Sequence, residues 1–272
     1  MIVLIILIIL FFLYLFFIAP RMFGKPDRRK LFGVYYAHRG LFDNRSAAPE
    51  NSLAAFRLAV ESGYGIELDV QLSKDDIPVV FHDATLKRMC GVDGHVWDYT
   101  LAELQQMKLA SSDETIPTFA DVLDTIAGKV PLIVEYKLDR VQTKVCELGN
   151  ELLNAYVEKY HGVYCIESFH PLALIWYRKN RPDIIRGQLS EEFWKNEAQK
   201  RQYYLVLLAC LVTNVVTRPD FISYRHSDYK NLSRRICRAL GALSVAYTIK
   251  SVDDYEKVKG QFDLFIFDSC RL

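Results

Sequence analysis

After Phe32 the chain alternates short apolar, β-rich runs with stretches of helical periodicity, and this alternation restricts the fold more than any other feature. Strand character marks 34–38, 65–71, 78–82, 131–136, 163–168, 184–188, 220–224, 243–248 and 263–267. Most intervals hold an amphipathic helix: Asn51 to Ser62, Val141 to Tyr160, Leu172 to Lys179, Tyr229 to Leu240 and Val252 to Lys259. Alternating β and α elements argue for a parallel sheet covered by helices. The chain has 272 residues, and one α/β unit of about 250, the usual size of a TIM (β/α)8 barrel, accounts for 33–272 as a single domain.

Nine strands are one more than such a barrel uses. Only Ser73-Lys74-Asp75-Asp76-Ile77 separates Leu72 from Pro78, whereas a parallel crossover needs about a dozen residues. Those two runs are expected to form a hairpin. A turn centred between Asp75 and Asp76 places Asp69 opposite His82, a register that a one-residue slip would break. Residues 83–117 lack strand signals, carry Gly91, Gly94 and a short helix from Leu101 to Met107, and read as a small insertion at the active-site end.

Polar groups gather where the first strands end. Val34-Tyr35-Tyr36-Ala37 leads into His38-Arg39-Gly40, Ile66-Glu67-Leu68-Asp69-Val70 alternates, and Pro78-Val79-Val80-Phe81 leads into His82-Asp83. The C-terminal ends of strands are where an α/β barrel keeps its chemistry. Glu67 and Asp69 are two apart on a strand and share a face. Such a pair inside an apolar barrel is costly unless it binds a cation, although edge strands also carry pairs of this kind. Glu135 and Lys137 repeat the spacing on another strand, and three carboxylates from different strands suit a hard divalent ion. His38 and His82 fit general acid and base chemistry, because imidazole titrates near neutral pH. Arg39, with its planar fork, and Lys137, as a point charge, would hold phosphate oxygens.

With those residues in place the chain resembles a known family. His38-Arg39-Gly40, Pro49-Glu50-Asn51-Ser52-Leu53-Ala54-Ala55-Phe56, Ile66 to Val70, Pro78 to Asp83, Ile116-Pro117-Thr118-Phe119 and Glu135-x-Lys137 together resemble the glycerophosphodiester phosphodiesterases. The resemblance runs in order from about Tyr36 to Lys137, and more faintly through Ser168-Phe169 and Gln188. It implies a phospholipase-C-like TIM barrel that hydrolyses glycerophosphodiesters to glycerol phosphate and an alcohol. It further implies Glu67, Asp69 and Glu135 as ligands of one Ca²⁺ or Mg²⁺ ion and His38 and His82 as the acid/base pair. Arg39 and Lys137 become phosphate holders, Glu50 a further active-site carboxylate, and Asn51 the N-cap of the next helix. The C-terminal third departs from the family's pattern. Val245 to Lys250 stands where a tryptophan and an asparagine are frequent, and Phe267-Asp268-Ser269-Cys270 replaces Thr-Asp-x-Pro, so the alcohol side of the substrate stays open.

Hydrophobic residues make up 51% of the chain, above the usual 45–50%, because Met1 to Ala19 contains no charged side chain. As a helix those nineteen residues reach roughly 28 Å, near the roughly 30 Å of a bilayer's hydrocarbon core. With no Lys or Arg ahead of the run and Pro20 after it, an uncleaved anchor over 1–19 is expected rather than a removed signal. The flank 20–32, with Arg21, Lys25, Arg28, Arg29 and Lys30, reads as a basic juxtamembrane linker. By the positive-inside bias it puts a single-pass protein in the cell membrane with its catalytic domain in the cytoplasm.

Net charge near zero beyond this flank gives no sign of nucleic-acid binding, and no protein partner is legible. The six cysteines form no C-x-x-C pair and read as free thiols. Tyr203 to Val216 is uncharged and, at roughly 21 Å as a helix, too short to span a bilayer. It is either a buried outer helix or an interfacial element beside the active site. Membrane lipid, and a glycerophosphodiester or lysophospholipid as substrate, are therefore the expected partners. A phospholipase acting on lysolipids or intact lipids is the alternative enzyme, and a membrane-tethered barrel that recognises lipid headgroups without cleaving them is the non-enzymatic one.

Overall fold

The computed structural model describes residues 1–138, 142–195 and 204–272; Val141 and Tyr203, each expected to begin an element, lie outside them. An apolar helix α1 (Ile2–Ile18) precedes β1 (Tyr36–His38), α2 (Leu53–Glu61), β2 (Gly65–Leu72) and β3 (Pro78–Val80). Two one-turn helices, α3 (Lys87–Cys90) and α4 (Leu101–Leu104), occupy the insertion, followed by α5 (Phe119–Ile126), β4 (Leu132–Tyr136), α6 (Lys144–Tyr160), β5 (Tyr164–Ser168) and α7 (Pro171–Asn180). The chain continues through β6 (Arg186–Ser190), α8 (Tyr204–Ala209), α9 (Asn214–Thr217), β7 (Phe221–Arg225), α10 (Leu232–Ala239), β8 (Leu243–Ile249), α11 (Val252–Val258) and β9 (Leu264–Phe267). β1, β2 and β4 to β9 are paired in parallel, and β1 bonds both β2 and β9, which closes an eight-stranded barrel.

The expected hairpin is present, with its register moved by one. β3 pairs antiparallel with β2, Val70 facing Val80 and Leu72 facing Pro78. Phe81 N donates to Asp69 O at 3.0 Å, so Phe81 rather than His82 stands across from Asp69. The reason is the turn: Ser73 N bonds Ile77 O, centring it on Asp75, and Asp76 adopts φ 61° to close it.

Two-residue periodicity sorts the barrel interior into layers. Tyr36, Ile133, Cys165, Phe221, Val245 and Ile266 fill its lower part, closed beneath by Leu31, whose carbonyl accepts the Tyr36 hydroxyl at 2.8 Å. Two residues further along the same strands stand His38, Glu135, Glu167, Ser223, Tyr247 and Asp268. The apolar layer is the floor on which a polar site is built. Outside, Phe56, Phe119, Leu153 and Tyr177 carry the helices onto the strands.

The N-terminus differs from expectation. α1 has 17 residues, about 26 Å, and its last turn packs on the barrel. Ile18 O accepts from Asn214 Nδ2 at 2.7 Å, and Arg218 reaches Phe16 O and Ala19 O at 3.0 and 2.8 Å. Among the described residues no helix is long and apolar enough to cross a membrane. The basic flank runs under the barrel: Arg21 donates to Pro182 O at 2.6 Å and pairs with Asp220 at 3.4 Å, while Lys25 and Arg28 bond Gly241 O. The uncharged stretch is not one helix either. α8 and α9 are separated by a turn at Leu211 (φ 58°), with Leu205, Ala209 and Leu211 buried and Val206, Leu207 and Val216 exposed.

Candidate active site

β1 ends at His38 and the chain turns at once, Arg39 with φ 57° and Gly40 with φ 83°. A Cβ at Gly40 would lie 2.9 Å from the Ala55 carbonyl carbon, so glycine is what lets this turn pack against α2. The turn aims Arg39 across the barrel mouth. Its backbone N–H donates to Glu67 Oε2 at 3.1 Å, its guanidinium donates to Glu50 Oε1 at 2.7 Å, and its Nε lies 3.6 Å from Asp69 Oδ2.

Parallel pairing brings the acids together. Asp69 is in register with Glu135, and Glu135 with Glu167, while His38 is in register with Glu67. One carboxylate oxygen from each of Glu67, Asp69 and Glu135 lies within 4.8 Å of the others, and all three residues are buried. Burial, reinforced by Asp69, Glu135 and Glu167, pushes the Glu67 carboxyl well above its ordinary range. Burial also raises Glu135, against the pull of Lys137. For Asp69 the burial effect is outweighed by Lys137, His82 and Arg39, which hold it well below the usual carboxylate range. Lys137 Nζ sits 3.0 Å from Asp69 Oδ1 and 2.7 Å from Glu135 Oε1. Its ammonium is disfavoured by burial, but these acids more than restore it and raise its pKa.

Both histidines have Nδ1 against a carboxylate. His38 Nδ1 lies 3.1 Å from Asp268 Oδ2, at the end of β9, and His82 Nδ1 lies 2.6 Å from Asp83 Oδ1. A carboxylate at Nδ1 fixes the tautomer and leaves Nε2 for chemistry. His38 Nε2 is 3.9 Å from Glu67 Oε2. Burial holds the His38 pKa below its ordinary value, partly offset by the Asp268 contact.

Glu50 connects the two sides. It accepts from Arg39, from Asn44 Nδ2 at 2.8 Å and from Arg88 at 2.6 and 2.9 Å; Arg88 in turn donates to Asp83 at 2.6 and 2.9 Å. A continuous chain of charged contacts therefore runs from Arg39 through Glu50, Arg88 and Asp83 to His82. Asn51 is not the N-cap expected of it. Ser52 caps α2, its Oγ accepting from Ala55 N at 3.1 Å, while Asn51 takes φ 57° and donates to Asp69 Oδ2 at 2.9 Å.

All eight expected residues, His38, Glu50, Arg39, Glu67, Asp69, His82, Glu135 and Lys137, thus converge on one end of the barrel. Sequence reasoning missed Asp268, Glu167 and Arg88. The first two occupy the same strand-end layer as Glu135, a signal available from periodicity; Arg88 lies in the irregular insertion, where no periodicity exists to reveal it.

The donor set fits a divalent cation of the Ca²⁺ or Mg²⁺ class. It is all oxygen and comes from two adjacent strands, with Glu167 in register on a third. Glu167 Oε2 is buried with no hydrogen-bond partner among the described residues.

A model described as the glycerophosphoryl diester phosphodiesterase family matches residues 38–269, from the first site histidine to just past Asp268. The chain belongs to this family. A glycerophosphodiester phosphodiesterase of Caldanaerobacter subterraneus is 36% identical over 162 residues, 56% of this chain and 65% of that protein. One from Bacillus altitudinis is 33% identical over 163 residues, 55% of this chain and 63% of that protein. The matches span less than two thirds of the length of both relatives. Glycerophosphodiester phosphodiesterase 1 of Bos taurus is 25% identical over 254 residues, 80% of this chain and 72% of that protein. Among solved structures, an Oleispira antarctica phosphodiesterase in complex with the product sn-glycerol-3-phosphate superposes with TM-score 0.68 at 27% identity, covering 88% of this chain and 94% of the other. A glycerophosphodiester phosphodiesterase from Thermotoga maritima gives TM-score 0.65 at 25% identity, covering 88% and 96%.

Proposed function

We propose that this family member hydrolyses glycerophosphodiesters to glycerol phosphate and an alcohol with the help of one Ca²⁺ or Mg²⁺ ion. The observation that carries this reading is a pair of histidines, each with Nδ1 against a carboxylate, at the same barrel end as three buried carboxylates and the cations Arg39 and Lys137. Glu67, Asp69 and Glu135 would hold the ion, which supplies charge neutralisation at the phosphate oxygens. Arg39 grips those oxygens, fixed by Glu50, and Lys137 adds its charge from beside Asp69 and Glu135. One histidine takes the proton of the attacking hydroxyl at its Nε2, and the other gives a proton to the leaving oxygen. The attacking group is water or the substrate's own glycerol hydroxyl. A cyclic glycerol phosphate trapped at short reaction times identifies the second route, and its absence throughout turnover identifies the first.

The test of the activity is release of glycerol phosphate from glycerophosphocholine by the full chain. No release in Ca²⁺ or Mg²⁺ would remove the proposal.

We further infer that α1 holds the protein at the cell membrane with the barrel on the cytoplasmic side. The exposed, uncharged surface of Ile2 to Leu13 supports this. Release of the intact chain into the soluble fraction by alkaline carbonate would contradict it.

A further inference from the structure

At the end of the barrel opposite the histidines, a cavity of about 510 Å³ opens between the basic linker and the segments that lead into β6 and β7, within the range of small-molecule sites. Four arginines line it, Arg21 from the linker and Arg178, Arg186 and Arg218 from the barrel, and among the described residues no carboxylate does. Buried Asp220 lies 3.4 Å from Arg21 Nη1 and 3.9 Å from Arg186 Nη1, while nearby Asp183 is held by Arg181 at 2.6 Å. The other contacts are to backbone carbonyls: Arg186 to Thr217 O at 3.0 Å and Arg218 O at 2.8 Å, Arg178 to Val216 O at 2.7 Å, and Arg218 to Phe16 O and Ala19 O. A carbonyl accepts a hydrogen bond but brings no net charge, so positive charge is in excess.

Arg186 shows the imbalance most clearly. It is 1% exposed, and its Nη1 is buried with no hydrogen-bond partner among the described residues. Burial, with Arg21 and Arg178 adding repulsion and Asp220 offsetting only part of it, brings its pKa down to about 10. A desolvated guanidinium is costly until an anion faces it. Phosphate suits such a place, because its oxygens match the planar guanidinium fork and can accept from several arginines at once. Beside the arginines, Met22 and Phe23, 44% and 90% exposed, add an apolar wall.

The direction of α1 bears on where the anion comes from. Tyr14 Oη bonds Ser233 Oγ at 2.8 Å, and Ile18 O accepts from Cys237 Sγ at 3.2 Å, four residues further along both helices. α1 therefore runs parallel to α10, which starts beyond the C-terminal end of β7 and descends to the start of β8. The exposed apolar residues before Tyr14 accordingly project from the catalytic end, and the arginine cavity lies at the other. A bilayer that holds those residues is out of its reach, so the phosphate it meets is a dissolved one.

We propose that this cavity is a binding site, separate from the catalytic end, for the dianion of a soluble phosphate monoester. Its phosphate sits on Arg178, Arg186 and Arg218, and its organic part lies against Met22 and Phe23. Because Arg21 belongs to the linker and Arg218 holds the last turn of α1, the bound anion also fastens the N-terminal segment to the barrel.

The experiment is isothermal titration of the full chain, in neutral detergent and chelator, with phenyl phosphate, with inorganic phosphate, and with vesicles containing phosphatidic acid. Expected is saturable binding of one phenyl phosphate per chain, at least threefold tighter than inorganic phosphate. Arg178→Gln and Arg218→Gln should weaken it at least tenfold, and Lys137→Met, at the catalytic end, less than twofold. Circular dichroism checks that each variant is folded; Arg178 is exposed at the end of α7, so its variant decides the matter if Arg218→Gln unfolds. Absence of saturable binding, or a loss in Lys137→Met as large as in the arginine variants, would overturn the proposal. Vesicle binding that needs Arg178, without binding of phenyl phosphate, would overturn the soluble ligand in favour of a lipid headgroup. Inorganic phosphate bound as tightly as phenyl phosphate would overturn the placement of the organic part.

Discussion

Asp268 Oδ2 lies 3.1 Å from His38 Nδ1, joining the last strand of the barrel to the first across the closing seam. The contact orients the imidazole and counters the effect of burial on its charged form. Asp268→Asn keeps the shape and loses both effects. Turnover should fall about 10²- to 10⁴-fold, by analogy with other carboxylate-oriented histidines. Because Asp268 raises the His38 pKa, the limb of the pH–rate profile that His38 governs should move to lower pH. An unmoved profile with full activity would remove Asp268 as a positioning residue.

Glu50 ties acid stability to the site. Burial alone would raise its pKa, but Arg88, Arg39 and Asn44 bring it down to about 2. A depressed carboxyl contributes stability that is present above its unfolded pKa, near 4.5, and lost as pH falls toward 2. The full contribution is about 3 kcal/mol. Glu50→Gln should lower urea stability at pH 7 by an amount of that order, and the gap between variant and parent should close between pH 4.5 and 2. A pH-independent gap would contradict the assignment.

The three carboxylates should trade stability for ion binding. With Glu67 raised by burial and by its acidic neighbours, ionising it in the folded state is unfavourable, so stability without metal should fall as pH rises above the unfolded Glu value. Glu67→Gln should therefore raise Tm in chelator. In the parent, Ca²⁺ or Mg²⁺ at about 100 times Kd should add roughly 2.7 kcal/mol, on the order of 5 to 10 °C. That gain should vanish in Glu67→Gln and Asp69→Asn. Equal metal shifts in all three proteins, followed by differential scanning calorimetry, would place the ion elsewhere.

Gly40→Ala tests the turn that carries Arg39. With φ 83° and the Ala55 carbonyl carbon 2.9 Å from the new Cβ, the substitution should destabilise by about 1 to 3 kcal/mol and raise KM through the displaced guanidinium. Unchanged denaturation and KM would show that the turn relaxes freely.

Much of this was legible because barrel geometry converts strand periodicity into position. Two-residue spacing put Glu67 and Asp69 on one face, and parallel register then carried Glu135 beside them. The same rule reaches Glu167 and Asp268, but neither has a second charge two residues away to mark it. The β2–β3 register slipped because one left-handed residue, Asp76, recentres the turn. What an apolar count over residues 1–19 does not reveal is that Asn214, Arg218 and Cys237 bind the last turn of α1.

The most direct test of the central claim is steady-state hydrolysis of glycerophosphocholine by the full chain, with Ca²⁺, with Mg²⁺ and in chelator, alongside His38→Ala, His82→Ala and Asp69→Asn. The account predicts glycerol phosphate release that needs a divalent ion and falls at least a hundredfold in every variant. Full release in chelator, or parent-like turnover in any one of the variants, would contradict it.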